Sequence, residues 1–157
     1  MPTVIFDADS TIFTIETLDE LSVPILKNSP DKLAKIHALT NKGMSGEIGF
    51  TESLEQRLEI LDLNKNDIAT FAKSLTKYIT PGLKELVLYL KDNNVDLWVL
   101  SGGLSEVIIP ALIDLGFDKN KIHGSGVIFD ENGKYLSLAS ADLYPCNQSK
   151  IKALEDK

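Results

Sequence analysis

Apolar and polar positions divide the chain into stretches of two different periods. Residues 2–8 hold a continuous apolar centre of Val4, Ile5 and Phe6, and "VDLWVLSGG" holds a second one that ends in a glycine pair. Short continuous runs of this kind predict buried strands. Between them the pattern turns helical. Residues 16–27 carry it first, and Pro24 is expected to kink or shorten that helix because its ring lacks the N–H the helix needs. "NSPDKLAKIHALTNKG" predicts a helix with Ser29 as cap, Pro30 at the first helical position and Gly43 as the stop. "GFTESLEQRLEIL" puts Phe50, Leu54, Leu58 and Leu61 at helical spacing, and "NKNDIATFAKSLTKY" is amphipathic. "TPGLKELVLYLKDNN" predicts a helix opened by Thr80 and Pro81. A further helix is expected from about Leu104 to Leu115, then a hairpin over "HGSGVIFDENGKYLSLA" turning at Asn132-Gly133, then a helix in "QSKIKALEDK".

Strand, helices, strand and helix in that order predict an α/β fold with a parallel sheet. Residues 15–78 hold several helices and no strand, whereas an ordinary crossover between parallel strands needs one helix. A helical module inserted after the first strand accounts for the excess. It would sit above the carboxyl ends of the strands, where open α/β sheets bind ligands.

Composition narrows the function classes. The 157 residues carry a formal net charge of −7, with acids spread along the chain, so no basic surface is expected for nucleic acid or an anionic membrane. No segment approaches the ~18 uninterrupted apolar residues of a membrane span, no secretory signal pattern opens the chain, and Cys146 has no partner for an internal disulfide. These readings predict a cytoplasmic protein. Of the 16 basic residues only Arg57 is an arginine. A lone Arg on a helix is either a surface residue or a fork that grips a carboxylate or phosphate through two bonds.

The candidate chemistry lies at the strand ends. In a parallel sheet Asp7 and Asp9 stand at the mouth of the first strand, and Ser101, Gly102 and Gly103 at the mouth of the second. Each feature alone has a bland reading, a turn or cap for the acids and a loop for Ser-Gly-Gly. Together they bring carboxylates to a hydroxyl, open backbone N–H groups and a helix N-terminus, a place for an anion. Acids beside an anion call for a divalent cation between them, and Mg²⁺ takes both carboxylate and phosphate oxygens.

"FDADSTIFTIETLDEL" resembles the first motif of the haloacid dehalogenase-like hydrolases, and of their phosphoserine phosphatases in particular. The resemblance implies a Rossmann-like core over 1–14 and 79–157, with an inserted helical cap over 15–78. It implies that Asp7 is the nucleophile that forms an aspartyl-phosphate and Asp9 the general acid and then base. Asp7 would also hold Mg²⁺ through its side chain and Asp9 through its main-chain carbonyl. "VLSGG" is similar to the second motif, in which Ser101, Gly102 and Gly103 hold the phosphoryl group. "NQSKIKAL" is similar to the third, which places Lys150 near the nucleophile. "ETLDEL" and "GMSGEIGFTESLEQR" follow the phosphoserine phosphatase pattern: Glu16 would bind the substrate amino group and Arg57 its carboxylate, with Met44 and Phe50 lining the pocket. The implied activity is Mg²⁺-dependent hydrolysis of O-phospho-L-serine, the last step of serine synthesis. Two departures stand out. Ser125 and Gly126 replace an Asn-Arg pair, and relatives continue past Lys157 into a strand whose acids complete the Mg²⁺ site. The expectation is therefore negligible activity from 1–157 alone, an exposed edge on the first strand, and dimerisation or capture of a complementary C-terminal segment. Hydrolysis or transfer on another small amino-acid phosphate, and a non-catalytic binding module, remain as alternatives.

Overall fold

The computed structural model describes residues 1–139; the helix expected in "QSKIKALEDK" lies outside them. Strand β1 (Thr3–Phe6) is followed by helices α1 (Thr17–Ile25), α2 (Pro30–Ser45), α3 (Phe50–Leu61), α4 (Lys65–Ser74) and α5 (Leu83–Asp92). Strand β2 (Asp96–Leu104), helix α6 (Ser105–Asp114) and strand β3 (Ile122–Ser125) come next, and β4 (Val127–Phe129) pairs with β5 (Tyr135–Leu138) as a hairpin. The order β1-β2-β3 is parallel throughout, with Ile5 beside Trp98 and Val99 beside Ile122. The fold is α/β and Rossmann-like. Among the described residues, no helix is long and apolar enough to cross a membrane.

The alternation of a strand sorts these residues onto two faces. Leu97 and Val99 are buried, and the half-buried Val4 and Phe6 pack against the same core, where Phe6 meets Phe117 edge to face at 5.5 Å. On the opposite face Ile5 is 39% exposed, Trp98 stacks on His123, and Asp96 pairs with Lys121. Strand β1 is thus less buried than its sequence predicts. Among the described residues β2 is the one strand paired with it.

Three other expectations are corrected. Helix α2 does not stop at Gly43 but runs to Ser45 and closes at Gly46, whose φ of +77° suits glycine. Gly43 instead lets α3 come close, since a Cβ there would lie 2.7 Å from Ser53 Oγ. Thr80 and Pro81 do not start α5: Gly82 precedes its first residue, and the Thr80 hydroxyl donates to the Thr11 carbonyl at 2.7 Å. His123 belongs to β3 in the parallel sheet, and the hairpin begins only at Val127, turning through Gly133 with φ +79°. The shortening expected from Pro24 is seen: Pro24 falls in the last turn of α1, which ends one residue later and spans 9 residues.

The two chain crossings that bound the helices α1–α4 lie side by side. Thr14 N–H donates to the Tyr78 carbonyl at 2.8 Å and Thr80 N–H to the Ile12 carbonyl at 2.9 Å, with Phe13 bridged to Ile79.

Candidate active site

The mouth of β1 is a tight turn. Asp7 follows the strand and accepts the Ala8 N–H on Oδ1 at 2.8 Å, and Phe13 N–H closes back on the Ala8 carbonyl at 3.0 Å. Within it Asp9 has extended backbone while Ser10 takes φ +54°, an uncommon conformation for a residue with a side chain. The Ser10 N–H donates to the Ile15 carbonyl, and its hydroxyl to Glu16 Oε1 at 2.6 Å. This turn aims Asp7, Asp9 and Glu16 into one cavity of about 400 Å³.

Asp9 is the most perturbed acid there. Burial pushes its carboxyl up to about 6 from the ordinary 3.8. Hydrogen bonds from the Thr17 hydroxyl and N–H oppose that, and the negative charges of Glu16 and Asp7 add to it. A carboxyl in this range can hold a proton near neutral pH and still release it, which suits general acid and base work.

The opposite wall comes from α2 and α3, with Met44, Phe50 and Arg57 all lining the cavity. Met44 is 71% exposed at the rim. The Phe50 ring lies on Gly102, where a Cβ would come within 2.4 Å of Cζ. Arg57 is 7% exposed. Its Nε donates to the Ser53 carbonyl at 3.2 Å and its Nη1 to Thr40 Oγ1 at 3.1 Å. Burial draws its pKa below the ordinary value, against the opposing charges of Asp19, Asp9 and Glu16.

Gly102 and Gly103, at the end of β2, complete the floor. Gly103 is hemmed in, since a Cβ would meet Ser101 Oγ at 3.2 Å and Asp9 Oδ2 at 3.4 Å. Ser101 is buried just behind, accepting the Gly103 N–H on its hydroxyl at 2.9 Å. Ser125 donates to the Gly102 carbonyl at 2.9 Å. Lys150 lies outside the described residues. The sequence reading overlooked Thr40 and Ser53, which also line the cavity. Both stand one helical turn before residues it singled out, Thr40 before Met44 and Ser53 before Arg57, and that spacing was the available signal.

Among the described residues, no group of three or more His, Cys, Asp or Glu side chains is gathered as a metal site. Asp7 and Asp9 together offer hard oxygen donors, and such a pair fits Mg²⁺, which is commonly held by one or two carboxylates with substrate phosphate and water.

The family model of the haloacid dehalogenase-like hydrolases matches residues 1–140. The chain belongs to that family. Among its relatives is the chloroplastic phosphoserine phosphatase of Arabidopsis thaliana, 28% identical over 97% of this chain and 50% of that protein. A solved phosphoserine phosphohydrolase-like protein from Francisella tularensis is 37% identical, covering 99% of this chain and 71% of the other, with a TM-score of 0.89. A structure described as a phospho-aspartyl intermediate analogue of phosphoserine phosphatase is 27% identical over 85% of this chain and 60% of the other, with a TM-score of 0.66. The chain spans about half the length of the Arabidopsis enzyme. Within the haloacid dehalogenase-like family, then, this chain resembles the phosphoserine phosphatases along nearly all its residues.

Proposed function

We propose that the protein is a Mg²⁺-dependent phosphatase that converts O-phospho-L-serine to L-serine and phosphate through an aspartyl-phosphate. The observation that carries this reading is one cavity with Asp7 and Asp9 on one wall and the buried Arg57 and Glu16 around it. Such a cavity offers charge for each end of a phosphorylated amino acid. In this proposal residues 1–14 and those from 79 onward form the core, and residues 15–78 form a cap over the strand ends. The side-by-side crossings at 12–14 and 78–80 support that division.

The substrate carboxylate sits on Arg57, its amino group on Glu16, and its carbon chain between Met44 and Phe50. Ser101 and the backbone at Gly102 and Gly103 hold the phosphoryl oxygens, with Lys150 assigned by its motif to the same group. Ser101 lies behind the cavity wall with its oxygen accepting the Gly103 N–H, so this role requires its side chain to turn toward the cavity when the phosphoryl group arrives. An Asp7 carboxylate oxygen attacks phosphorus, the bond from phosphorus to the serine oxygen breaks, and Asp9 gives its proton to that oxygen. Water then attacks the phosphorus of the aspartyl-phosphate, Asp9 takes a proton from it, and the bond to Asp7 breaks to release phosphate. Splitting the displacement lets one residue serve both halves with a single proton. Mg²⁺, held by the Asp7 carboxylate and the Asp9 carbonyl, would supply charge neutralisation at the phosphoryl oxygens.

Acid quenching of the complete catalytic domain, carried past Lys157 as in the relatives and incubated with phosphate-labelled O-phospho-L-serine, tests the scheme. Label should be trapped on the wild type and absent from Asp7→Asn, because an amide cannot attack phosphorus. Label retained on Asp7→Asn would overturn the assignment.

A further inference from the structure

Arg57 does not stand alone at its wall of the cavity. It belongs to a relay that ties three helices together. Arg57 Nη1, on α3, donates to Thr40 Oγ1 on α2 at 3.1 Å, and the Thr40 hydroxyl donates to Asp19 Oδ1 on α1 at 2.6 Å. Asp19 Oδ1 also faces Arg57 Nη1 at 3.7 Å. Thr40 is 5% exposed and Arg57 7%, so these bonds form away from bulk water. There a hydrogen bond to a charged group is worth more than one at the surface.

The direction of the protons matters. A threonine hydroxyl has one hydrogen and two lone pairs. Within reach of Thr40 are two acceptors, Asp19 Oδ1 at 2.6 Å and the Ile36 carbonyl, one turn back on its own helix, at 3.1 Å. The charged and nearer acceptor wins the hydrogen, which turns a lone pair toward Arg57. The Nε bond to the Ser53 carbonyl holds the guanidinium at a second point. With Nε and Nη1 engaged, the plane of the group is set, and Nη2 donates to none of the described residues. Arg57 nonetheless lines the cavity.

We propose that Thr40 and Asp19 are positioning residues that hold the Arg57 fork in the plane needed to receive a carboxylate. This rests on the reading of Arg57 as the carboxylate site. Charge alone would give the opposite expectation for Asp19. A carboxylate 3.7 Å from the guanidinium partly neutralises it, so its removal would strengthen anion binding if attraction were all that mattered. Orientation makes Asp19 favourable to binding despite its sign.

Binding of two probes by calorimetry separates the two layers. O-phospho-L-serine carries a carboxylate, and O-phosphoethanolamine is the same molecule without it. The wild type should prefer phosphoserine. Thr40→Val keeps the shape and removes the relay, and it should weaken phosphoserine roughly 10-fold, the low end for a bond to a charged group, with phosphoethanolamine unchanged. Thr40→Ser restores the hydroxyl and should restore the preference. Asp19→Ala should weaken phosphoserine as Thr40→Val does, while Asp19→Asn, which keeps an acceptor for Thr40, should fall between it and the wild type. A Thr40→Val protein with the full wild-type preference, or an Asp19→Ala protein that binds phosphoserine more tightly, would overturn the positioning role. A wild type with no preference between the probes would overturn the carboxylate reading of Arg57 itself. Equal loss of both probes in Thr40→Val and Thr40→Ser alike would mark Thr40 as a packing residue and also refute the proposal.

Discussion

Replacing Asp9 by Asn in the metal-free chain should change how stability depends on pH. In the folded protein the Asp9 carboxyl is pushed up to about 6 from the ordinary 3.8, first of all by burial. An unfolded chain gives up this proton near pH 4, and the folded chain holds it until about pH 6. Across that window the folded state binds more protons, so its stability falls as pH rises. Each pKa unit corresponds to about 1.4 kcal/mol, so a shift of roughly two units removes on the order of 3 kcal/mol between pH 4 and pH 7. Against a total stability of about 5–15 kcal/mol that is a large share. Asn has no charge to bury, and it can still accept the Thr17 N–H that Asp9 Oδ1 accepts at 3.1 Å. Urea unfolding in the presence of a chelator, followed by the fluorescence of the single tryptophan, Trp98, measures both proteins from pH 4 to pH 8. Asp9→Asn should gain on the wild type as pH rises, by about 2–3 kcal/mol at pH 7 relative to pH 4, with the change centred between pH 4 and 6. A difference independent of pH, or one in which the variant loses ground as pH rises, would refute the reasoning. The latter result would mean that the Thr17 hydrogen bonds outweigh burial and favour the carboxylate. Mg²⁺ added to the wild type should flatten its slope, since a bound cation favours the ionised form.

Arg57→Lys should weaken phosphoserine binding about 10- to 150-fold, the range for losing a charge-assisted bond, and should leave phosphoethanolamine nearly unaffected; equal losses on calorimetry would mark Arg57 as structural. Gly43→Ala should destabilise the chain by about 1–3 kcal/mol through overpacking, because its Cβ would press on Ser53 Oγ at 2.7 Å; a raised urea midpoint would show that helix propensity outweighs that contact. Gly102→Ala should displace the Phe50 ring, whose Cζ would lie 2.4 Å from the new methyl, and so weaken substrate binding. Truncating Phe50 to Ala in the same chain should recover part of that loss, and no recovery would locate the damage in the backbone.

Much of the fold was legible because apolar spacing is a local signal. The face of Leu54, Leu58 and Leu61 on α3 is buried as its period predicts, and β2 appears where its apolar run lies. What was missed depends on residues far apart in the chain. Strand β3 reads "IHGS", four residues with one large apolar side chain, and its extended state comes from pairing with β2 at Val99 and Leu100. Gly43 looks like a helix stop but marks the closest approach of α3. Thr80 looks like a cap but spends its hydroxyl on Thr11. The site divides in the same way. Of the residues that line the cavity, Asp7, Asp9, Gly102 and Gly103 are legible as strand ends and Glu16, Met44, Phe50 and Arg57 through motif likeness, whereas Ser101, read in the same way, is buried behind it. Asp19 carries no local mark and Thr40 only its place one turn before Met44, because the relay that joins them to Arg57 forms only once three helices are packed.

The pairing of Thr14 with Tyr78 and of Ile12 with Thr80 has a consequence for how such proteins can change over time. The chain leaves the sheet and returns to it at adjoining points, and α1–α4 meet the rest of the chain again where Lys65 N–H donates to the Gly133 carbonyl and Tyr135 N–H to the Leu63 carbonyl. A different set of helices could be joined there without lengthening β1 or β2, provided that it remade the packing on α6 and the bonds to the β4–β5 hairpin. Asp7, Asp9, Gly102 and Gly103 would stay with the sheet, while Met44, Phe50 and Arg57 would leave with the insert. With the roles proposed for these residues, reaction chemistry and substrate choice would be carried by different parts of the chain, and a descendant could acquire a new substrate while retaining an old reaction.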